Sequence, residues 1–132
     1  MKLPLLHPSL VHFPIAFYFL EMLLLLFWVV KKDEAYRRFA LFSFRTAYLF
    51  MIVAVVAGLV DTGGISGALG HKVRPHFLSA VSLFTISTVR AFYWRFGRQE
   101  QPGYARFLVG GAILATLIVA LTGFFGGEIV YG

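Results

Sequence analysis

Four apolar runs, 9–30, 39–60, 75–96 and 105–125, each approach the roughly 20 residues that an α-helix needs to cross a 30 Å hydrocarbon core. Lipid offers no partner for an exposed peptide group, so only helices or a closed barrel can span it. Runs of this length predict helices. The chain is 59% hydrophobic and 14% charged, with a mean hydropathy of +0.80. A soluble domain, at about 25% charged, is excluded on those grounds. The expected architecture is all-α: one domain over 1–132, an integral membrane four-helix bundle of two parallel helical hairpins related by a pseudo-twofold.

The connections 31–38, 61–74 and 97–104 are too short for a soluble domain, so function is expected in the bundle or at its rims. The first run ends in Lys31–Lys32 without a small-residue cleavage pattern and reads as a retained span, not a secretory signal. Lys31, Lys32, Arg37, Arg38, Arg45, Arg90, Arg95, Arg98 and Arg106 flank the first and third connections, against Lys2, Lys72 and Arg74 at the other end. That 9-to-3 division of the 12 basic residues predicts those two connections in the cytoplasm and both termini outside, in a bacterial inner membrane. The net charge of +6 is thereby explained by topology, and nucleic acid is not expected as a partner. Trp28, Tyr36, Tyr93, Trp94 and Tyr104 read as an aromatic belt at the cytoplasmic interface.

An internal repeat accompanies the spans. His7-Pro-Ser-Leu-Val-His12-Phe13 returns 64 positions later as His71-Lys-Val-Arg-Pro-His76-Phe77, and the segments at Ala57–Gly64 and Thr122–Glu128 also correspond. All four histidines therefore fall at the outer face. The chain has no Cys, which removes thiolate metal sites and leaves imidazole as the natural metal or haem ligand. His12 and His76 stand next to Pro14 and Pro75, in the first turns of the first and third spans. Those spans lie diagonally in an up-down-up-down bundle, so the two side chains are expected to meet through its centre as axial ligands of one haem b. His7 and His71 form an outer pair, available for a second haem, a propionate, a quinol, or a metal site with Asp61 and Glu128. The sequence leaves these open. The blander reading is that each histidine is only an interfacial polar residue.

The string Leu6-His-Pro-Ser-Leu-Val-His-Phe-Pro-Ile-Ala16, the histidine opening the third span and the closing Thr122-Gly-Phe-Phe-Gly-Gly-Glu-Ile-Val-Tyr131 resemble the bacterial membrane family catalogued as domain of unknown function 2231. The resemblance covers nearly the whole chain. It implies a four-helix membrane domain with a likeness to b-type cytochrome bundles, and it marks His7, His12, His76 and the Gly-Gly-Glu turn. It supplies no activity. Members often carry a polar residue such as Asn soon after the third-span histidine, whereas Leu78 and Ser79 stand here.

Charges inside the spans need partners. Glu21 falls near the middle of the first run, and Arg45 and Arg90 lie well inside the second and third. Either both arginines snorkel to the surface with Glu21 taking one as counter-ion, or they frame a proton or quinone site in the inner half. Arg90 follows His76 by 14 residues, about 40° from the same helical face, so it is counted with the cofactor-binding residues. His12 and Glu21 are 9 apart, about 180°, so both cannot face inward on one regular helix.

The functional expectation is a membrane electron-transfer subunit. It binds one or two b-type haems through His12, His76, His7 and His71, exchanges electrons with quinone, and works inside a larger respiratory or photosynthetic membrane complex or a homo-oligomer. The rivals are a cofactor-free structural membrane subunit and a small metal or solute carrier with a His/Asp/Glu mouth. No nucleophile elbow, phosphate loop or zinc-protease motif points to an enzyme.

Overall fold

The computed structural model describes residues 12–61, 63, 64, 70 and 74–131, with the side chains of Asp61 and 127–131 left aside. Among the described residues four helices follow in chain order: α1 (His12–Lys31), α2 (Glu34–Asp61), α3 (Arg74–Phe96) and α4 (Tyr104–Tyr131). All four are long and apolar enough to cross a membrane. At 1.5 Å per residue the shortest, of 20 residues, spans about 30 Å, which matches the hydrocarbon core.

The breaks follow from local chemistry. Lys32 adopts the left-handed conformation (φ 56°) that ends α1, and its N–H donates back to the Trp28 carbonyl. Asp33 then caps α2, its carboxylate accepting from the Ala35 N–H at 3.0 Å. Gly63 and Gly64, both at positive φ, close α2 with bonds to the carbonyls of Val60 and Leu59.

Each helix turns one stripe inward, its members three, four or seven residues apart. The stripes are Pro14, Tyr18, Glu21 and Leu25 on α1; Ala40, Phe44, Ala47, Met51 and Ala54 on α2; His76, Leu83, Ser87, Arg90 and Trp94 on α3; and Tyr104, Leu108, Ala112, Ala115, Val119 and Thr122 on α4. That spacing is the seam of a nearly parallel bundle. The polar members lie inside, while Phe39, Phe42, Val60, Leu117 and Phe124 lie outside, an arrangement stable only when lipid is the solvent. The chain is thus a multi-pass membrane four-helix bundle.

Around the ring, α1 packs against α2 and α4, and α3 packs against α4. The α2–α3 seam is much looser. Alanines on α2 and α4 let the backbones approach. At the 31–33 end, Trp28, Tyr36, Tyr93 and Tyr104 form ring contacts with one another or with Phe27, as an aromatic belt would. Trp94 departs from the belt reading. It is buried in the core and stacks on Phe44, because it lies on the α3 stripe at Arg90+4.

Ala112 is fully buried, whereas Ile113 is exposed. Ala112→Leu should therefore destabilise the bundle in detergent by about 1–3 kcal/mol through overpacking. Ile113→Leu should leave thermal unfolding unchanged. Equal effects would contradict the assigned inward faces.

Candidate functional site

The middle of the bundle holds charge where lipid-like packing would be expected. Glu21 on α1 and Arg90 on α3 form a bidentate ion pair across the diagonal, Nη1 donating to Oε1 at 3.1 Å and Nη2 to Oε2. Their side chains are 0% and 1% exposed. The reading in which both arginines snorkel fails for Arg90, which stays inside as the counter-ion of Glu21, while Arg45 is exposed.

The pair is built into its surroundings. Phe44 of α2 lies under the guanidinium, 4.8 Å from ring centroid to Cζ, a cation–π contact in a desolvated site. Gly111 of α4 makes room for it, since a Cβ there would lie 2.8 Å from Arg90 Nε. One turn from the ion pair, Tyr18 and Ser87 share a buried hydrogen bond of 2.6 Å across the same diagonal. Ser43 donates to the Phe17 carbonyl at 2.7 Å and Thr116 to the Tyr18 carbonyl at 3.2 Å, tying α2 and α4 to α1 at this level. The Trp94 indole N–H lies beside the Glu21 carboxylate, outside hydrogen-bond geometry.

His12 and His76 do not share this centre. His76 is buried near the start of α3, with Nδ1 2.9 Å from the Thr122 carbonyl and Gly126 packed against its ring. A carbonyl only accepts, so Nδ1 carries a proton and donates to it. His12 is exposed. The reason is helical phase: the stripe through Leu25, Glu21, Tyr18 and Pro14 extrapolates to position 11, whereas the α3 stripe passes through His76 itself. The mutual exclusion of His12 and Glu21 is resolved in favour of Glu21. The repeat thus aligns the two histidines in sequence but not in helical phase. The space between α1 and α3 is filled below them by Tyr18, Ser87, Glu21 and Arg90.

His7 and His71 lie outside the described residues, as do the side chains of Asp61 and Glu128. Among the described residues no three metal-binding side chains gather. Sequence reasoning passed over Tyr18, Ser87 and Phe44; it read Gly111, with Gly58, Gly110 and Gly123, as room for close helix approach or a ligand's edge. The signal was present for the first two: each stands three residues before its charged neighbour, so the hydrogen bond and the ion pair share a separation of 69.

The close fit around Arg90 is testable. Gly111→Val should displace the guanidinium and lower the unfolding temperature strongly, whereas Gly110→Val, with no atom within 4 Å, should have little effect. If both melted alike, Gly111 would not be seating Arg90.

A family model described as "Predicted membrane protein (DUF2231)" matches residues 3–132. No curated protein and no solved structure matches the chain. With a match over almost its entire length, and with four helices built to cross a membrane, the chain belongs to the DUF2231 family of predicted membrane proteins.

Proposed function

We propose that the chain is a membrane electron-transfer subunit that holds b-type haem at the end of the bundle where α3 begins, with His76 as an axial ligand. The observation that carries this reading is the bond between His76 Nδ1 and the Thr122 carbonyl. Metal-ligating histidines characteristically donate their other ring N–H to a carbonyl, which fixes the tautomer and the ring plane. In this bundle α4 supplies the orienting acceptor and α3 the ligand. Haem would bring one-electron chemistry, and the chain's task is to bind, orient and insulate it.

Any further ligand would come from His12 at the rim, His7 or His71, and the remaining histidines would serve any second haem. Arg90 lies about 21 Å along α3 from His76. It therefore belongs to a different level, where the Glu21–Arg90 pair would answer a quinone headgroup and not a haem propionate. The 9-to-3 basic division supports a bacterial inner-membrane placement with both termini outside and a parent redox complex, or a second copy, on the outer side.

The cofactor-free structural subunit remains the second reading, supported by the ion pair and the Tyr18–Ser87 bond, which close the core with protein groups alone. The carrier reading rests on His7, His71, Asp61 and Glu128.

The deciding experiment is the visible spectrum of dithionite-reduced protein made with ample haem supply, together with pyridine haemochrome stoichiometry. Wild type should show the sharp α band of low-spin b-type haem, and His76→Ala should lose it. The His12, His7 and His71 variants then name the opposite ligand by which one converts the spectrum to high spin. Haem-free wild type would transfer the assignment to the structural subunit. For topology, a C-terminal alkaline phosphatase fusion should be active, and a dark phosphatase with a fluorescent cytoplasmic reporter would reverse the orientation.

A further inference from the structure

The ring of helices is tight on three sides and loose on the fourth. Where α2 and α3 face each other, side chains bridge them: Tyr48 and Thr88 share a hydrogen bond of 2.7 Å, and Tyr48 stacks on Phe84. Beside these bridges lies a groove of about 290 Å³. Its lining is mostly apolar, with Leu41, Leu49 and Ile52 from α2 and Ala91 from α3, and it includes two cations, Arg45 and Arg95.

The cations share one level. Phe44 and Trp94 stack at 6.4 Å, and each is followed directly by one of the arginines. Arg95 belongs to the last turn of α3, and Arg45 stands about 16 Å along α2 from Glu34. Both arginines are exposed. The ion pairs among the described residues join Glu34 to Arg37 and Glu21 to Arg90, so neither groove arginine is neutralised by a carboxylate there. From Leu41 to Ile52 the apolar wall runs about 16 Å along α2.

Two cations that no carboxylate neutralises, lining an apolar trough open to lipid, call for a ligand with an anionic head and an alkyl tail. Guanidinium groups favour phosphate oxygens, and basic pockets between membrane helices bind anionic head groups. We propose that the α2–α3 groove binds one anionic glycerophospholipid, its phosphate between Arg45 and Arg95 and an acyl chain along Leu49 and Ile52. The lipid then completes the seam that protein side chains leave loose. This site is independent of the haem proposal, being on other residues and read by another signal.

Native mass spectrometry tests it, with phosphatidylglycerol and phosphatidylcholine of identical chains added to the full-length protein in mild detergent. Phosphatidylglycerol should be retained as a one-to-one adduct, and Arg45→Gln/Arg95→Gln should reduce its occupancy roughly tenfold or more. Lys31→Gln/Lys32→Gln, removing the same charge at a different place on the rim, should leave it unchanged. Ile52→Trp, which fills the trough and keeps both arginines, should also abolish the adduct, and it serves as the readout should the arginine variant fail to fold. Equal retention of the two lipids, or undiminished phosphatidylglycerol in the folded variants, would overturn the proposal. Displacement of the phospholipid by an isoprenoid quinone at equal concentration would overturn it too, and would give the groove to quinone.

Discussion

The bundle depends on the Glu21–Arg90 pair. Either ion alone in the middle of a membrane helix costs at least about 2.5–3.5 kcal/mol on insertion scales, and breaking a buried pair by removing one partner costs about 3–5 kcal/mol. The two charges sit on diagonal helices, so satisfying them requires α1 and α3 to face one another across the bundle axis. Once they do, helix phase determines the rest: Tyr18 meets Ser87 one turn away, Phe44 lies under the guanidinium, and α4 must present a glycine where Arg90 lies. Apolar packing in lipid has no hydrophobic drive of its own to choose among registers. A bidentate pair with a defined geometry does choose one.

Much of this is legible in the sequence. The spans were readable because hydrocarbon thickness imposes a length on each run, and the diagonal placement of α1 and α3 followed from short connections. The inward direction of Arg90 was readable from its phase relative to His76. An arginine partner for Glu21 was readable too, but not which of Arg45 and Arg90, because sequence reports angles around one helix and not the distance to another. The 180° between His12 and Glu21 stated a choice without its outcome. Energy settles it: an imidazole near a helix end can reach water, whereas a mid-span carboxylate cannot. Trp94 was misread because belt and core aromatics have the same composition, and only its place on the inward stripe with Ser87 and Arg90 distinguishes it.

These facts separate two levels in one small bundle. At the outer level, His76 is oriented by the Thr122 carbonyl, the arrangement on which the haem proposal stands. At the inner level, a charged core lies behind Phe44 and Trp94, with the α2–α3 groove on their other side. The ion pair fixes the rotation of α3 and so presents both His76 inward and Arg95 toward the groove. A perturbation at Arg90 should therefore be felt at both levels, while changes at either end should leave the pair intact.

A double-mutant cycle of thermal or denaturant stability in detergent, using Glu21→Gln, Arg90→Met and the double variant, measures the central interaction directly. The account predicts a coupling energy above about 2 kcal/mol, with the double variant no less stable than the weaker single one. Additive single effects, with coupling indistinguishable from zero, would contradict it and leave the register of α1 and α3 to apolar packing alone.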